Sequence, residues 1–291
     1  MDGKGSKRGK FVNIVHDILL KFDDPIIECK LNGNSFLTYY SSNRPMYMMQ
    51  YPTYNQMLKR ICAYLKLQYK RNINIIDVGA NIGDTVLDIG DKENRYLLVE
   101  GTDKFFSLIP NNLNGYDYKL ICSFCGESDG TIKSHISFTE PSSAQLKIES
   151  NASSRNMYTL DTIVMNENFI ADFIKIDTYG FDFQVLRGAN STLRRYKPML
   201  FFEWELPYLL LNKEDPIGIF SYLEECGYEK LILFDNFGNM FAMIDCSNEE
   251  MLRHLIEYTK YKTIYYFDVL AVHKDSIVDL RELWNYLKQK E

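Results

Sequence analysis

A glycine-rich stretch near residue 80 carries the residue types best suited to hold a ligand. Residues 77–85, DVGANIGDT, follow a β-branched run and precede a helical pattern. Their two glycines let the turn approach a ligand closely, and the helix N-terminus favours an anionic group. The spacing is neither GxGxxG nor that of a P-loop, so it disfavours a dinucleotide pyrophosphate and excludes a P-loop. A carboxylate at the strand end, Asp77, suits a ligand that carries an ammonium group.

Three further carboxylates follow strand patterns later in the sequence. Glu100 lies roughly 20 residues after Asp77, about the separation at which an acid meets ribose hydroxyls. Asp177 ends the fourth predicted strand, and Glu203 ends an apolar strand at the edge where open α/β sheets bind ligands. S-adenosylmethionine combines an ammonium group, a carboxylate and a ribose in one molecule. The turn and the acids together therefore predict a site for this cofactor.

Short apolar runs alternate with helical patterns from residue 72 onward. The runs include NINIIDV, RYLLVE, YKLICSF, ADFIKID, KPMLFFEWE, YEKLILFD and YYFDVLAVH. This alternation predicts an α/β fold with a mostly parallel sheet and helices on both faces. The last two runs have no clear helix between them, which predicts an antiparallel edge pair. Residues 123–156 predict a small hairpin or a loop, and residues 275–289 a closing helix.

Residues 1–70 differ in pattern and are predicted to form an N-terminal, mainly helical appendage to a domain over residues 71–291. Helices are expected near 11–22 and from about Asn55 to Tyr69, where apolar residues recur on one helical face. Residues 1–10 are expected to be disordered. A cluster of tyrosines in the appendage favours packing or an oligomer surface, so a homo-oligomer stays open.

The composition excludes several classes of protein. Of 291 residues, 46% are hydrophobic and 25% are charged, which is typical of a folded globular protein. The net charge of −6 argues against a dedicated binder of nucleic acid or of anionic membranes. No apolar run reaches the roughly 18 residues of a membrane span, so stable membrane insertion is not expected.

The cysteines suggest neither a disulfide scaffold nor a metal site. Six cysteines are scattered over a long chain, which fits reduced thiols and a cytoplasmic location. Cys122 and Cys125 form one CxxC, but a zinc site would need a second pair with similar spacing. We therefore expect no bound metal.

Six motifs occur in order over residues 72–274: DVGANIGDT, VEG, TLDTI, FIKIDTYGFDFQVLRGA, MLFFEWE and YYFDVLAVH. Together they resemble the FkbM-type S-adenosylmethionine-dependent methyltransferases. The resemblance implies a class I methyltransferase (Rossmann-like) sheet for residues 71–291. It also implies O-methylation of a hydroxyl on a sugar, a glycan or a small molecule such as a glycosylated metabolite.

Methyl transfer to a hydroxyl would be helped by a base, and residues that end predicted strands are the candidates: Asp177 or Glu203, with His273 as a further candidate that could reach the cleft and contact the acceptor. The resemblance assigns further roles to individual residues. Tyr179 would contact the acceptor too; many relatives carry Glu or Gln there, so the acceptor of this chain would then differ. Contacts with the cofactor would come from Asp77, Gly79, Asn81, Gly83, Thr85, Glu100, Ser123 and Asp177.

Two alternatives stay open. One is a catalytically inactive binding module that keeps the fold. Such a module would be expected to lose one of Asp77, Glu100 and Asp177, and this sequence retains all three. The other is an NAD(P)-dependent dehydrogenase, against which GANIG in place of GxGxxG argues.

Overall fold

The computed structural model describes residues 20, 23–31, 34–51, 56–140, 143–148, 153–261 and 263–289. In this part of the chain the strands are β1 (Ile26–Leu31), β2 (Asn34–Tyr39), β3 (Asn74–Val78), β4 (Arg95–Glu100), β5 (Asp117–Cys122), β6 (Phe124–Cys125), β7 (Gly130–Glu140), β8 (Ser143–Ile148), β9 (Ser153–Tyr158), β10 (Phe173–Ile176), β11 (Met199–Trp204), β12 (Tyr228–Asp235), β13 (Met240–Asp245) and β14 (Phe267–His273). The helices are α1 (Arg44–Gln50), α2 (Gln56–Tyr69), α3 (Asp84–Ile89), α4 (Asp103–Phe106), α5 (Ile109–Asn112), α6 (Leu160–Glu167), α7 (Asp182–Arg187), α8 (Asn190–Tyr196), α9 (Leu206–Leu211), α10 (Gly218–Glu225), α11 (Glu249–Tyr258) and α12 (Leu280–Lys288), with a 3-10 turn over Thr259–Tyr261.

The central sheet has eight strands in the order β13-β12-β14-β11-β10-β3-β4-β5. From β11 to β5 every neighbouring pair is parallel. The pairs β11–β14, β14–β12 and β12–β13 are antiparallel. The predicted α/β architecture is therefore confirmed. The order puts β3 and β10 side by side in the middle, where the strand that precedes the glycine-rich turn meets the strand that precedes Asp177.

The antiparallel edge is larger than the predicted pair. β13 adds an outer strand, and α11 separates the two strands that seemed to follow each other directly. Both elements have weak patterns. β13 is half-exposed along most of its length, and α11 turns only Leu252, Leu255 and Ile256 inward. Asn248 caps α11 by accepting the backbone N–H of Met251, a local start signal for this helix.

Helices cover both faces of the central sheet, as the alternation of elements predicted. Side chains alternate along each strand, and the buried ones divide into two core clusters. The first cluster contains Ile176, Phe202 and Val269 and is covered by α6 to α11. The second contains Phe201 and Leu270 and is covered by α2, α3, α4, α5 and α12. We call these the first and the second face.

A second sheet with the order β6-β9-β7-β8 occupies the region predicted to be a hairpin or a loop. β7 and β8 form the expected antiparallel hairpin. β9 then pairs with β7, and β6 pairs in parallel with β9. Because β6 begins directly after Ser123, this sheet fixes the backbone that follows β5.

The N-terminal segment contains a hairpin that the prediction of a mainly helical appendage missed. β1 and β2 pair antiparallel, with Cys29 opposite Phe36. The Asn32–Gly33 dipeptide between them is a typical hairpin turn in sequence, although those two residues lie outside the described part. The helix predicted over 11–22 and the tail over 1–10 also fall largely or wholly outside it.

The second predicted helix is present as α2 and packs into the second face rather than apart from the sheet. Its buried residues include Ile61 and Leu65, which belong to the same core cluster as strand residues. Arg60 donates to the carbonyl oxygens of Tyr286 and Leu287 in α12, at 2.6 and 2.7 Å. The division of the chain at residue 70 stays a prediction, but α2 shares the core of the sheet. None of the described helices is long and apolar enough to cross a membrane.

Candidate active site

The glycine-rich turn joins β3 to α3 in an unusual backbone conformation. Gly79, Asn81 and Gly83 have φ values of 82°, 49° and 84°, in the left-handed region that glycine and asparagine tolerate best. A Cβ on Gly79 would lie 2.0 Å from the carbonyl oxygen of Asp177. Glycine is therefore required at position 79 because the turn packs directly on the end of β10.

Glu100 ties the turn to the end of β4. Its two carboxylate oxygens accept the backbone N–H groups of Asn81 and Thr102, at 2.9 and 2.7 Å. Burial raises the pKa of Glu100 to about 7, against the opposing effect of these two hydrogen bonds. Each oxygen keeps a second lone pair for a ligand. Glu100 can therefore accept hydroxyl donors while it holds the loop in place.

A cleft of about 570 Å³, including its open mouth, lies beside Glu100 at the carboxyl ends of β3, β4 and β10. Of the residues predicted to bind cofactor or acceptor, it brings together six: Gly79, Asn81, Glu100, Ser123, Asp177 and Tyr179. The hydroxyl oxygen of Ser123 is buried without a hydrogen-bond partner in the described structure. A buried hydroxyl without a partner is costly, so this oxygen is available to a ligand.

The cleft has several walls that sequence reasoning missed or left without a role. Thr102, Phe105, Thr178 and Phe181 line it together with Phe124. Thr102 and Thr178 could have been found from one signal, since each lies within two residues of an acid that ends a strand. The three phenylalanines come from separate segments of the chain, so only the tertiary structure shows that they share one space.

Lys175 lies between two of the predicted acids. Its ammonium is 3.3 Å from Asp77 and 3.2 Å from Asp177, and the Lys175 side chain is only 9% exposed. Burial alone would lower the pKa of Lys175, but Asp177 and Asp77 together hold it well above its ordinary value. Burial raises the pKa of Asp77 in spite of Lys175. Asp77 therefore serves the ion pair and does not line the cleft.

Thr85 and Gly83 also lie behind the cleft. Thr85 is buried in α3 beside Asp77 and lowers the pKa of that carboxyl. Gly83 precedes α3, and a Cβ there would approach Leu113 at 3.0 Å. The structure thus gives both residues a supporting position.

Asp177, Glu203 and Asp268 lie at one level across three adjacent strands. Ile176 pairs with Phe202, so Asp177, the next residue, is level with Glu203. Glu203 in turn pairs with Asp268. Neighbouring strands are about 4.8 Å apart, so these residues form a row of carboxylates on the second face. In the described residues no three His, Cys, Asp or Glu side chains are arranged to hold a metal ion.

Tyr179 sits in a strained loop at the mouth of the cleft. It has φ 51°, and the following Gly180 has φ 89°. Its ring packs edge-to-face on Tyr208 with the centroids 5.6 Å apart. A left-handed, non-glycine residue is often found where a side chain must be aimed at a ligand. Asp182 stabilises this loop by accepting from the backbone N–H of Gly180 and from the Thr178 hydroxyl, at 3.2 and 3.1 Å.

His273 does not reach the cleft. β14 runs antiparallel to its neighbours, so its last residue lies at the opposite edge of the sheet, paired with Tyr228 at the start of β12. There the His273 Nδ1 atom accepts the backbone N–H of Asp275 at 3.0 Å. This placement corrects the expectation that His273 contacts the acceptor. The same strand direction brings Asp268, at the other end of β14, to the edge that carries the site.

The N-terminal hairpin is fastened to the glycine-rich turn by Asn112. This buried side chain accepts the backbone N–H of Leu37 at 2.6 Å and donates to the carbonyl oxygens of Leu37 and Ile82, at 3.0 and 2.9 Å. Ile82 belongs to the turn itself. The hairpin and the turn are therefore held by one amide side chain.

The helix that follows the hairpin continues over the sheet edge. Arg44 of α1 forms ion pairs with Asp84 and Asp88 of α3, at 2.9 and 2.5 Å. Just after α1, the ring of Tyr51 packs on Phe237, which follows β12, at a centroid distance of 5.1 Å. Between β3 and β12 the sheet contains β10, β11 and β14. The segment over residues 37–51 therefore reaches from α3 to the loop that follows β12, and we call it the N-terminal strap.

The comparison with protein families gives a match over the part of the chain that builds this site. A model described as the methyltransferase FkbM domain matches residues 77–230, more than half of the chain. A search of curated protein sequences gave no match.

Solved structures of methyltransferases are similar at low identity. Methyltransferase FkbM from Methylobacillus flagellatus KT is 17% identical, with a TM-score of 0.38 over 55% of this chain and 39% of its own. The match thus spans less than half of that protein's length. A SAM-dependent methyltransferase from Agrobacterium tumefaciens is 10% identical, with a TM-score of 0.42 over 84% and 70% of the two chains. Precorrin-6y C5,15-methyltransferase from Geobacter metallireducens GS-15 is 10% identical, with a TM-score of 0.36 over 74% and 87%.

Proposed function

The chain belongs to the FkbM methyltransferase family, and from that premise we propose that it transfers a methyl group from S-adenosylmethionine to a hydroxyl of a sugar, a glycan or a glycosylated metabolite. The observation that supports this most is the position of Glu100. Its carboxylate lines a cleft beside a left-handed, glycine-rich turn and retains lone pairs for hydroxyl donors.

The residues present fit the donor. Ribose hydroxyls are hydrogen-bond donors, and Glu100 is an acceptor fixed by two backbone N–H groups. The buried Ser123 hydroxyl lacks a partner and can hydrogen-bond to a polar edge such as that of adenine. Phe105, Phe124 and Phe181 supply apolar and aromatic walls for a flat ring. Asn81 and Gly79 form the floor between these groups.

Catalysis on this site would depend mainly on position and on the removal of water. When bound, S-adenosylmethionine supplies the methyl group, whose bond to sulfur breaks as the bond to the acceptor oxygen forms and leaves its electron pair on sulfur. Holding two reactants in line can contribute roughly 7–11 kcal/mol. The N-terminal strap contacts α3 and the loop that follows β12, and from there it would help to exclude water from this edge.

A carboxylate of the row would take the proton of the acceptor hydroxyl. A neutral hydroxyl is a weak nucleophile, and a positioned base contributes about 10²–10⁴ in rate. Asp177 lines the cleft and Glu203 lies level with it on the next strand. Tyr179, at the cleft mouth, would contact the acceptor through its ring.

Titration calorimetry with S-adenosylhomocysteine (SAH), the product that remains after S-adenosylmethionine has lost its methyl group, tests the donor site. We expect wild-type protein to bind SAH and Glu100→Gln to bind it about 10–100-fold more weakly, because a charged acceptor of ribose hydroxyls is lost. Glu224→Gln, on the exposed side of α10, is the matched control and should bind like wild type. Binding of NADH in place of SAH, or equal affinity of the Glu100 variant, would contradict the proposal.

Transfer of labelled methyl from S-adenosylmethionine to a panel of sugars and glycans tests the acceptor. We expect label in an ether linkage to a hydroxyl oxygen. Each active sugar is compared with the analogue that lacks that hydroxyl, which should accept no label. Label found on nitrogen or carbon would show that the acceptor class is wrong while leaving the donor site intact.

A further inference from the structure

Two carboxylates lie directly opposite each other on neighbouring strands beyond the cleft. Glu203 of β11 pairs with Asp268 of β14, and two residues away Phe201 pairs with Leu270. Side chains alternate along a strand, so Glu203 and Asp268 share the second face with Phe201 and Leu270, both of which are buried there. Directly opposite residues have Cβ atoms about 4.5–5.5 Å apart. The two carboxyl groups are therefore immediate neighbours.

The charges around this pair are mostly negative. Four further carboxylates repel negative charge on Glu203, on Asp268 or on both. They are Asp177 after β10, Asp182 at the start of α7, Glu205 after β11 and Asp235 at the end of β12. Lys175 acts on Asp268 from β10 but is already paired with Asp77 and Asp177. Two like charges at this distance cannot both ionise at little cost. The doubly ionised pair is therefore expected to take up one proton more readily than either carboxylate would alone.

Asp177 is less suited to be the base than this pair. Its carboxylate is held by the Lys175 ammonium at 3.2 Å, and its side chain is 42% exposed to solvent. The Lys175 ammonium therefore already occupies this carboxylate as its partner. Glu203 and Asp268 are only partly exposed and have no ion pair or hydrogen bond in the described structure.

We propose that Glu203 and Asp268 form a proton-sharing pair in which Glu203 accepts the hydroxyl proton of the acceptor and Asp268 is the positioning residue that makes it basic enough. The inference rests on the methyl transfer proposed above. The O–H bond of the acceptor breaks, its proton bonds to a Glu203 oxygen, and the oxygen electrons form the new bond to the methyl group. The pair then loses this proton to solvent.

The protonation behaviour of both groups agrees with this role. Burial, with repulsion from Asp177 and other acids, raises the pKa of Glu203 well above its ordinary value. Burial and Asp177 raise the pKa of Asp268 in the same way, and Lys175 opposes this only in part. A carboxylate with a raised pKa is a stronger base near neutral pH than an ordinary one.

Carboxyl-carbon NMR titration of the full-length protein without ligands tests the pair directly. The Glu203 resonance is assigned by its loss in Glu203→Gln. We expect the Glu203 midpoint to fall by about one pH unit or more in Asp268→Asn, because the neighbouring charge is gone. Asp245→Asn, which removes an exposed carboxylate paired with Lys230, is the control and should leave the midpoint unchanged. An unchanged midpoint in Asp268→Asn would overturn the proposal.

A reciprocal measurement checks the same coupling from the other side. In Glu203→Gln the Asp268 midpoint, assigned by the loss of its resonance in Asp268→Asn, should fall by a similar amount. SAH binding by Asp268→Asn should equal that of wild type, because Asp268 does not line the donor cleft. Failure of wild type to bind SAH would overturn the proposed function while leaving the titration result intact. The two claims can therefore fail separately.

Discussion

The proposed site has two halves, which are held by different kinds of interaction. Around β3 and β4 lies the proposed donor half, which backbone groups fix: the carboxylate of Glu100 binds two N–H groups, and the turn itself hydrogen-bonds to Val99. Around β10, β11 and β14 lies the proposed acceptor half, in which side-chain charges dominate, with Lys175 between two acids and Glu203 opposite Asp268.

This difference has a consequence for what each half can tolerate. Backbone hydrogen bonds depend little on pH or on side-chain identity, so the donor half should be changed mainly by altering its glycines or Glu100. Buried charges depend strongly on their partners. The acceptor half should therefore respond to single charge changes, and these can alter acceptor choice without altering the donor site.

The largest effect is expected from Lys175→Met, which leaves Asp77 and Asp177 without their cation. Removing one partner of a buried ion pair typically costs about 3–5 kcal/mol, measured as the free energy of unfolding in urea. Lys119→Met, which breaks the more exposed pair with Glu167, should cost less than about 1 kcal/mol. Adding Asp77→Asn to Lys175→Met should recover part of the loss. Equal costs for the two lysine variants would show that charge does not hold the acceptor half.

Gly79→Ala should damage the donor half through the backbone. The new Cβ would lie 2.0 Å from the Asp177 carbonyl oxygen. The turn would also require alanine to adopt the left-handed φ of 82° that glycine has there. We expect a loss of about 1–3 kcal/mol in unfolding free energy and loss of measurable SAH binding. Gly90→Ala is the matched control, since Gly90 has φ 68° but its Cβ would have its nearest neighbour at 3.6 Å. Equal destabilisation in both variants would contradict a role for close packing.

Asn112→Ala should release the N-terminal strap from the turn. Two carbonyl oxygens and one backbone N–H would lose their partner, which we expect to cost about 1–3 kcal/mol. Amide hydrogen exchange in the N-terminal strap, residues 37–51, should become faster by a larger factor than exchange in β3 and β4. Asn114→Ala, at an exposed neighbouring position, should leave both rates unchanged. A uniform increase across the sheet would argue that the strap is not a separate unit.

The smallest expected effect is the pH dependence of SAH binding. The pKa of Glu100 is raised to about 7, so the ionised form, which in the proposed function would accept ribose hydroxyls, predominates only above that pH. We expect affinity to fall about tenfold from pH 8 to pH 6, which corresponds to roughly 1.4 kcal/mol. Calorimetry across this range measures it, and a flat profile would remove Glu100 from the binding step.

The same shift predicts the stability of the ligand-free protein. Glu100 binds its proton more tightly in the folded state than in the unfolded one, where its pKa is near 4.5. Between these values the folded state holds more protons, so this group makes unfolding easier as pH rises from about 4.5 to 7. SAH binding should offset this decrease in the free energy of unfolding above pH 7. Urea melts with and without SAH over that range check the sign.

The donor half was largely predictable because its signals are local. Gly79, Asn81 and Glu100 lie within one strand–turn–helix–strand unit, and each was predicted to line the donor site. Asp77 and Thr85 were assigned to the same site, but the structure places them behind it, where Asp77 pairs with Lys175 and Thr85 lies beside Asp77. The sequence pattern locates the turn, while the direction of each side chain depends on how β10 packs beside β3.

The acceptor half was harder to predict because its residues meet through strand order and direction. Asp268 and His273 lie on the same strand, and only the antiparallel direction of β14 shows which of them reaches the site. The hairpin β1–β2 and the outer strand β13 were missed for a related reason. These strands are only partly buried, so pairing with a neighbour rather than a run of buried apolar residues defines them.

The contact between Arg60 and α12 bears on how the polypeptide emerges during synthesis. Arg60 of α2 leaves the ribosome 226 residues before Tyr286, whose carbonyl oxygen its side chain binds. The core cluster that contains Ile61 and Leu65 is therefore completed only once α12 has been synthesised, because Leu283 and Leu287 belong to it. We therefore expect the nascent chain to expose an apolar stripe that chaperones can bind, and truncation just before residue 280 to yield an aggregation-prone product.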